Sequence, residues 1–237
     1  MNRKLYLERD ARDEPCYTAG EVAGYLRIPV STVRAWCIGQ ARTGRPGSAG
    51  IRTGSDALIK PASVPPPMLS FWNLVEVYVL ASLRRKHGVS LQRVRRALAF
   101  VEGKLGVDRP LIRQEFYTDG VKLFVEKYSN LLDVSHSGQL EWSQVISQAV
   151  KRVERDVNGL AARVYPWLNR PDEPRQIEID PLRAFGRPVI VKTGIPTESV
   201  AERFRAGESI DAIAADFNLN RDLVEAAVRW ESHAPAA

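Results

Sequence analysis

The chain has 237 residues, of which 44% are hydrophobic and 26% charged, and it carries a formal net charge of +6 with a pI near 9.5. This composition is typical of a globular protein with one large domain or two small ones, and the positive charge favours a polyanionic partner. The sequence has no apolar run long enough for a membrane helix and no secretory signal, so we expect a cytoplasmic protein. Its two cysteines and three histidines are scattered, which argues against a disulfide framework and a Cys/His metal site.

The positive charge is concentrated in the first half of the chain. Residues 16–106 contain 13 basic and four acidic side chains, a net charge of +9, whereas residues 173–237 contain eight basic and eleven acidic side chains, a net charge of −3. An asymmetry of this kind indicates a nucleic-acid-binding module joined to a module with another partner. A basic surface that only faces solvent is the alternative.

Two short helices are predicted at the start of the basic half. Thr18 is a candidate N-cap, and Glu21 stands three residues later, as in a capping box. Pro29 ends this helix, and Ser31 is the candidate N-cap of a second helix whose apolar side includes Trp36. Two short helices joined by a tight turn are typical of a helix-turn-helix.

The second helix is the candidate recognition helix, which in this motif lies in the DNA major groove. We expect it to expose Ser31, Thr32 and Arg34, with the hydroxyls on phosphates and the guanidinium on a guanine edge or a phosphate. The basic, Gly-rich segment 42–52 follows where a wing would lie, with a plain flexible loop as the alternative. Three arginines of that segment are candidate contacts to phosphates or a minor groove: Arg42, Arg45 and Arg52.

Further helices are predicted over residues 71–87, after the candidate N-cap Ser70, and from residue 91 onward, after Ser90. Both have apolar residues at helical spacing, and the second presents several arginines on its other side.

The middle of the chain is predicted to contain a β-hairpin over residues 116–124, because Asp119-Gly120 separates aromatic and aliphatic residues. A weaker turn signal lies at residues 136–138. A helix is expected from Ser143 to about residue 159, followed by a Pro-containing linker over residues 169–176.

The last part of the chain is predicted to start with two short strands, over residues 177–181 and 185–190. Three short helices follow, over residues 197–206, 209–217 and 221–232, with Gly and Asn residues between them.

Two stretches of the basic half resemble a MerR-type winged helix-turn-helix: YTAGEVAGYLRIPVSTVRAW (17–36) and LSFWNLVEVYVLASLRRKHGVSLQRVRRAL (69–98). By this resemblance, Ser31, Thr32 and Arg34 take the recognition-helix role. The three arginines of segment 42–52 take the wing role. Unlike the metal- and drug-sensing MerR regulators, the chain has a longer, Pro-rich wing region and no long dimerisation helix or effector-binding cysteine cluster after it.

The stretch IDPLRAFGRPVIVKTGIPTESVAERFRAGESIDAIAADFNLNRDLVEAAVRW (179–230) resembles the small domain known as domain of unknown function 433. Gly194 stands where that family usually has an arginine. Members of the family are commonly antitoxins encoded beside a PIN-like ribonuclease toxin, and the combination with a MerR-like N-terminus resembles the larger VapB-type antitoxins. The three helices are acidic and would repel phosphates, which favours toxin binding or dimerisation over DNA contact.

The sequence therefore predicts a mainly α-helical fold with small β elements. Four parts are expected: an N-terminal arm (1–15), a MerR-like winged helix-turn-helix domain (16–106), a connecting region with a β-hairpin and a helix (107–170), and a C-terminal domain of short strands plus a trihelical bundle (171–237).

The leading functional hypothesis is an antitoxin of a type II toxin–antitoxin system, with operator DNA and a PIN-like ribonuclease as partners, a homodimer as the binding unit and no cofactor. A free-standing MerR-like regulator without a toxin is the alternative. An enzyme is disfavoured, because the carboxylates are spread along the chain and no phosphate-binding, nucleophile or metalloprotease motif is present, so no catalytic residue is assigned.

Overall fold

The computed structural model describes residues 10–39, 57–84, 91–130, 136–167 and 172–232. In these ranges the chain is mainly α-helical with one small antiparallel sheet, which confirms the predicted fold class. The helices are α1 (Ala19–Leu26), α2 (Val30–Cys37), α3 (Phe71–Arg84), α4 (Leu91–Leu105), α5 (Val121–Asn130), α6 (His136–Val150), α7 (Thr197–Arg205), α8 (Ile210–Phe217) and α9 (Arg221–Ser232). The strands are β1 (Val153–Arg155), β2 (Ala161–Val164), β3 (Ile177–Ile179) and β4 (Pro188–Ile190), in the order β1-β2-β3-β4.

A large core joins α1 to α6 with strands β1 and β2. Tyr17, Trp36, Phe71 and Phe124 are among its buried side chains, at 0–3% exposure. A polar network lies beside it: Arg109 donates to both carboxylate oxygens of Glu76 on α3, each at 3.0 Å, and to Asp13 at 2.7 Å. The bidentate pairing explains why a charged Glu76 can be buried in this position.

A second, smaller core lies under α7, α8 and α9. Val200, Ile213, Val224 and Trp230 are buried there, and Ile190 of β4 closes it from the sheet side. Each of the three helices agrees with its predicted bounds within one residue. For α8, Ser209 is the N-cap and Asn218 ends the helix in the left-handed conformation.

Strand β3 contributes to both cores. Ile179, opposite Val164 of β2, belongs to the large core, whereas Ile177, opposite Ile190 of β4, belongs to the small one. The sheet therefore continues on both sides of the predicted linker at 169–176. The division of the chain into four predicted parts stays a prediction.

The predicted β-hairpin over residues 116–124 is wrong. Residues Phe116–Gly120 form a π-helical turn that runs directly into α5. A Cβ on Gly120 would lie 2.7 Å from the Phe116 ring and 3.3 Å from Leu105, so this glycine permits a close side-chain contact in a helix. The sequence Asp-Gly does not distinguish a glycine that forms a hairpin turn from a glycine that lets side chains pack closely in a helix. The sequence predicts a hairpin for this reason.

A hairpin does lie in the central region, but further along the chain, between β1 and β2. Asp156 accepts hydrogen bonds from the backbone N–H groups of Asn158 and Leu160, both at 2.9 Å, and Gly159 has φ of +73°. Helix α6 therefore ends at Val150 and does not reach Gly159. It begins at His136, where the sequence predicted a turn.

Candidate nucleic-acid interface

Helix α1 and the turn after it have the local structure that the sequence predicts. Thr18 accepts a hydrogen bond from the Glu21 backbone N–H, and the Glu21 carboxylate accepts one from the Thr18 backbone N–H, which completes the capping box. Arg27 then ends α1 in the left-handed conformation, at φ of 55°. The N–H of Ile28 donates to Ala23 and that of Arg27 to Gly24, so the turn has the hydrogen bonds of a Schellman motif.

Helix α2 begins one residue before the predicted cap. Its N-cap is Pro29, whose carbonyl accepts from the Thr32 N–H at 2.9 Å, and Ser31 lies inside the first turn. Val33, Trp36 and Cys37 are buried, and the pattern of apolar residues predicted the first two correctly.

Two of the three predicted recognition residues face solvent. Ser31 and Arg34 are exposed on α2, whereas Thr32 is buried at 5% exposure. Thr32 stands four residues before the buried Trp36, so both side chains lie on the same face of α2. No described residue forms a salt bridge with Arg34, so its guanidinium is available to a phosphate or a base edge.

The chain returns to α2 after the predicted wing. The carbonyl oxygen of Trp36 accepts hydrogen bonds from the N–H groups of Leu58, at 2.7 Å, and Ile59, at 2.9 Å. The segment that leaves α2 at Gly39 is therefore anchored again beside the end of the same helix. The predicted wing residues lie outside the described part of the chain: Arg42, Arg45 and Arg52.

The turn between α1 and α2 contacts the C-terminal region. The Arg27 guanidinium lies 4.9 Å from the centre of the Trp230 ring and donates a hydrogen bond to the Trp230 carbonyl oxygen. Burial lowers the pKa of Arg27, and the nearby Glu231 carboxylate acts in the opposite direction. Sequence reasoning missed Arg27, since nothing in the local pattern indicates a contact with a residue 203 positions away.

A second contact joins the same two regions. The Tyr17 hydroxyl, at the start of the helix-turn-helix, donates to the carbonyl oxygen of Gly186 at 3.0 Å. Gly186 has φ of +74°, and a Cβ there would lie 1.9 Å from that hydroxyl oxygen. The close approach therefore requires glycine at this position.

A second pair of short helices, α8 and α9, has a similar connection but different electrostatics. Asn218 ends α8 in the left-handed conformation, and α9 begins three residues later. Arg221, at the start of α9, is paired with Asp211 and, at 2.9 Å, with Glu225. These two carboxylates raise the pKa of Arg221 and occupy the guanidinium, which makes α9 a poor surface for phosphates.

The described residues include no cluster of metal-ligating side chains, and they include two free thiols, of which Cys16 is exposed. Within those ranges no group of three or more His, Cys, Asp and Glu side chains could hold a metal ion. Cys37 is buried, which raises the pKa of its thiol to about 12 and keeps it protonated at neutral pH. The described helices also include none with the length and hydrophobicity to cross a bilayer.

Two family models match parts of the chain. Residues 15–98 match the family described as "Putative DNA-binding HTH domain". The matched part of the chain extends from α1 into α4, as far as Leu98. Residues 177–230 match "Protein of unknown function (DUF433)", which spans β3 to α9 up to Trp230.

Two curated relatives and one solved structure, all from Mycobacterium tuberculosis, are similar over most of the chain. "Putative antitoxin VapB45" is 27% identical over 234 residues, which cover 91% of this chain and 93% of the relative. "Uncharacterized protein Rv2308" is 21% identical over 92% of this chain and 90% of the relative. The X-ray crystal structure of Rv2018 has a TM-score of 0.65 at 22% identity, covering 90% of this chain and 97% of that one, and so has the same fold. The chain is thus similar to a putative DNA-binding helix-turn-helix family over residues 15–98 and to the DUF433 family over residues 177–230.

Proposed function

We propose that this chain is an antitoxin that binds operator DNA through its helix-turn-helix domain and holds a toxin inactive. The observation that carries the DNA-binding part is the surface of α2. Arg34 and Ser31 are exposed on the second helix of the motif, and Arg34 has no carboxylate partner among the described residues. The second helix is the one that enters the major groove in proteins of this architecture.

The net charge of the region supports the same assignment. Residues 16–106 carry +9, a count that includes the α4 arginines at positions 93, 95 and 96. Neutralisation of phosphates with release of counterions supplies much of the affinity of such surfaces. Arg42, Arg45 and Arg52 would extend the contact beyond α2. Because helix-turn-helix proteins commonly bind paired half-sites, the DNA-binding unit would be a homodimer that represses its own operon in the cytoplasm.

The toxin-binding part rests on the similarity to "Putative antitoxin VapB45", which extends over 91% of this chain and includes both matched domains. In the C-terminal domain, Arg221 is already paired with carboxylates, as is Arg203 with Glu208 and Asp216. A surface with its charges paired in this way suits a protein partner better than a polyanion. The proposed partner is a PIN-like ribonuclease, inhibited by blocked RNA access or by a basic side chain in its acidic site.

Two assays test the proposal. A gel-shift experiment compares DNA from upstream of the chain's own gene with scrambled DNA of the same length, at several salt concentrations. A pull-down and an RNA-cleavage assay use the product of the adjacent gene. Specific DNA binding together with inhibition of a ribonuclease is the expected result. DNA binding without a toxin would instead identify a free-standing regulator, and no binding in either assay would overturn both parts.

A further inference from the structure

Two large apolar side chains are exposed on the loop between β3 and β4. Leu182 is 79% exposed and Phe185 is 92% exposed, although both lie in the part of the chain that matches DUF433, where Val200, Ile213 and Val224 form a buried core. Exposed aromatic and aliphatic side chains next to each other are typical of contact sites for a partner. We refer to residues 182–187 as the apolar loop.

The apolar loop is held in one conformation. The carboxylate of Asp180 accepts from the Leu182 N–H at 2.9 Å, and the carbonyl of Arg183 accepts from the Gly186 N–H at 2.8 Å. Phe185 has φ of 56°, in the left-handed region that non-glycine residues avoid. Burial of the Phe185 side chain does not compensate for this strain, because the side chain is exposed. Strained residues of this kind are typical of binding sites.

The hydrogen bond from the Tyr17 hydroxyl to Gly186 fixes the end of the loop from the other side. A contact that is already ordered loses little conformational entropy when a partner binds. The loop is therefore built as a rigid anchor.

Charge around the loop argues against nucleic acid as the partner. Arg183 donates to Glu178 at 3.3 Å, and the neighbouring Arg163 donates to Asp180 at 2.9 Å. The exposed Arg187 has a carboxylate, Glu198, 3.9 Å away. Because carboxylates stand beside each guanidinium, the loop presents an apolar tip without a surplus of positive charge for phosphates.

Area argues against a second copy of the chain. A stable interface needs about 800 Å² from each partner, whereas a phenylalanine side chain buries about 150–250 Å². Two side chains that meet their symmetry copies would supply too little area. A different protein with a concave pocket could surround both side chains and also contact the residues around them, whereas two copies of this loop would meet only at their exposed tips.

We infer that the apolar loop is the docking element for the toxin, with Phe185 and Leu182 entering an apolar pocket on that protein. This inference rests on the toxin binding proposed above. The partner is a folded protein with a pocket wide enough for one phenyl ring.

The experiment measures binding of the full-length chain to the purified product of the adjacent gene by calorimetry. Phe185→Ala should weaken the binding by at least about 30-fold, as truncation of an anchor residue does, and Leu182→Ala should weaken it less. The control is Val157→Ala, since Val157 is fully exposed on the β1–β2 turn. It should bind like the unmodified chain. Circular dichroism and operator binding should be unchanged in all three variants.

The outcomes separate the two proposals. If the unmodified chain neither binds nor inhibits the adjacent gene product, the proposed antitoxin function fails. If it binds and Phe185→Ala binds equally well, the antitoxin function stands and the docking role of the loop is wrong. The docking role is also overturned if Phe185→Ala lowers operator affinity, which would indicate a wedge into DNA, or if it changes the oligomeric state without the toxin.

Discussion

The helix pairs α1–α2 and α8–α9 have similar connections, yet their exposed arginines have different surroundings. In each pair a helix of eight residues ends in a left-handed residue, Arg27 or Asn218, and a second helix follows after a short turn. The difference lies in the partners of the exposed arginines. Arg34 has no salt bridge within the described chain, whereas Arg221 has two. The availability of a cation, and not the presence of the motif, decides which pair can bind phosphate.

Disrupting the core under the first pair should have the largest effect. Trp36→Ala removes a side chain that is 3% exposed and should lower the free energy of unfolding by about 3–5 kcal/mol. Chemical denaturation measures this value, and operator binding should be lost with it. Ile38→Ala, next to the same helix and 47% exposed, is the control and should change the free energy of unfolding little. Equal stability of the two variants would show that Trp36 does not stabilise the core under α1 and α2.

The contact between the two regions can be tested at Gly186. Gly186→Ala should lower the free energy of unfolding by about 2–4 kcal/mol, because it adds backbone strain and a clash with the Tyr17 hydroxyl. The control is Gly194→Ala. Gly194 has a similar backbone angle, φ of +75°, but a Cβ there would meet no atom within 4 Å. This variant should therefore lower the free energy of unfolding by only about 1–2 kcal/mol. Adding Tyr17→Phe to Gly186→Ala should restore part of the loss. Identical losses at the two glycines would show that the close contact with Tyr17 contributes nothing to stability.

Substituting the arginines tests the comparison directly. Arg34→Ala should weaken operator binding by about 1–3 kcal/mol if the side chain reads a base. The matched change Arg221→Ala, on α9, should leave operator affinity unchanged. Gel-shift titrations of both variants measure the difference. If Arg221→Ala weakens binding as much as Arg34→Ala, then α9 also contacts DNA and the contrast between the pairs is wrong.

The smallest effect is expected in the predicted wing. Arg45→Ala should weaken binding to all DNA sequences alike and lower the salt dependence by about one unit of slope, as loss of one phosphate contact does. Titrations against operator and scrambled DNA at several salt concentrations measure both quantities. A loss confined to operator DNA would instead indicate base reading by Arg45.

Local signals predicted the parts of the fold that local interactions stabilise. The capping box at Thr18 and Glu21 located α1, and the cap at Ser209 located α8. The same kind of reasoning failed at Gly120, where the glycine serves packing against Phe116. Asn158-Gly159 is an equally strong hairpin signal and lies between the paired strands β1 and β2, but the apolar spacing around residue 153 resembles that of a continuing helix.

The candidate site was predictable only in part for the same reason. Exposure of Arg34 follows from the helical period, and so does burial of Thr32, four residues before Trp36, although the polar type of Thr32 indicated a surface residue. The contacts from Arg27 to Trp230 and from Tyr17 to Gly186 join residues far apart in the chain. No spacing rule connects such pairs, since they arise only when the whole chain is folded.

Strand β3 has a consequence for how the chain can be dissected. Ile177 and Ile179 are two residues apart, yet one side chain completes the small core and the other the large core. A fragment that ends at residue 170 would lose Ile179 and leave β2 as an unpaired edge, and a fragment that begins at residue 171 would leave β3 without β2 and Ile179 without the large core in which it is buried. We therefore expect isolated halves to aggregate or unfold. A truncated chain that no longer binds a partner could then have lost its fold and not its binding site. Single substitutions in the intact chain are therefore the better way to locate the residues that bind each partner.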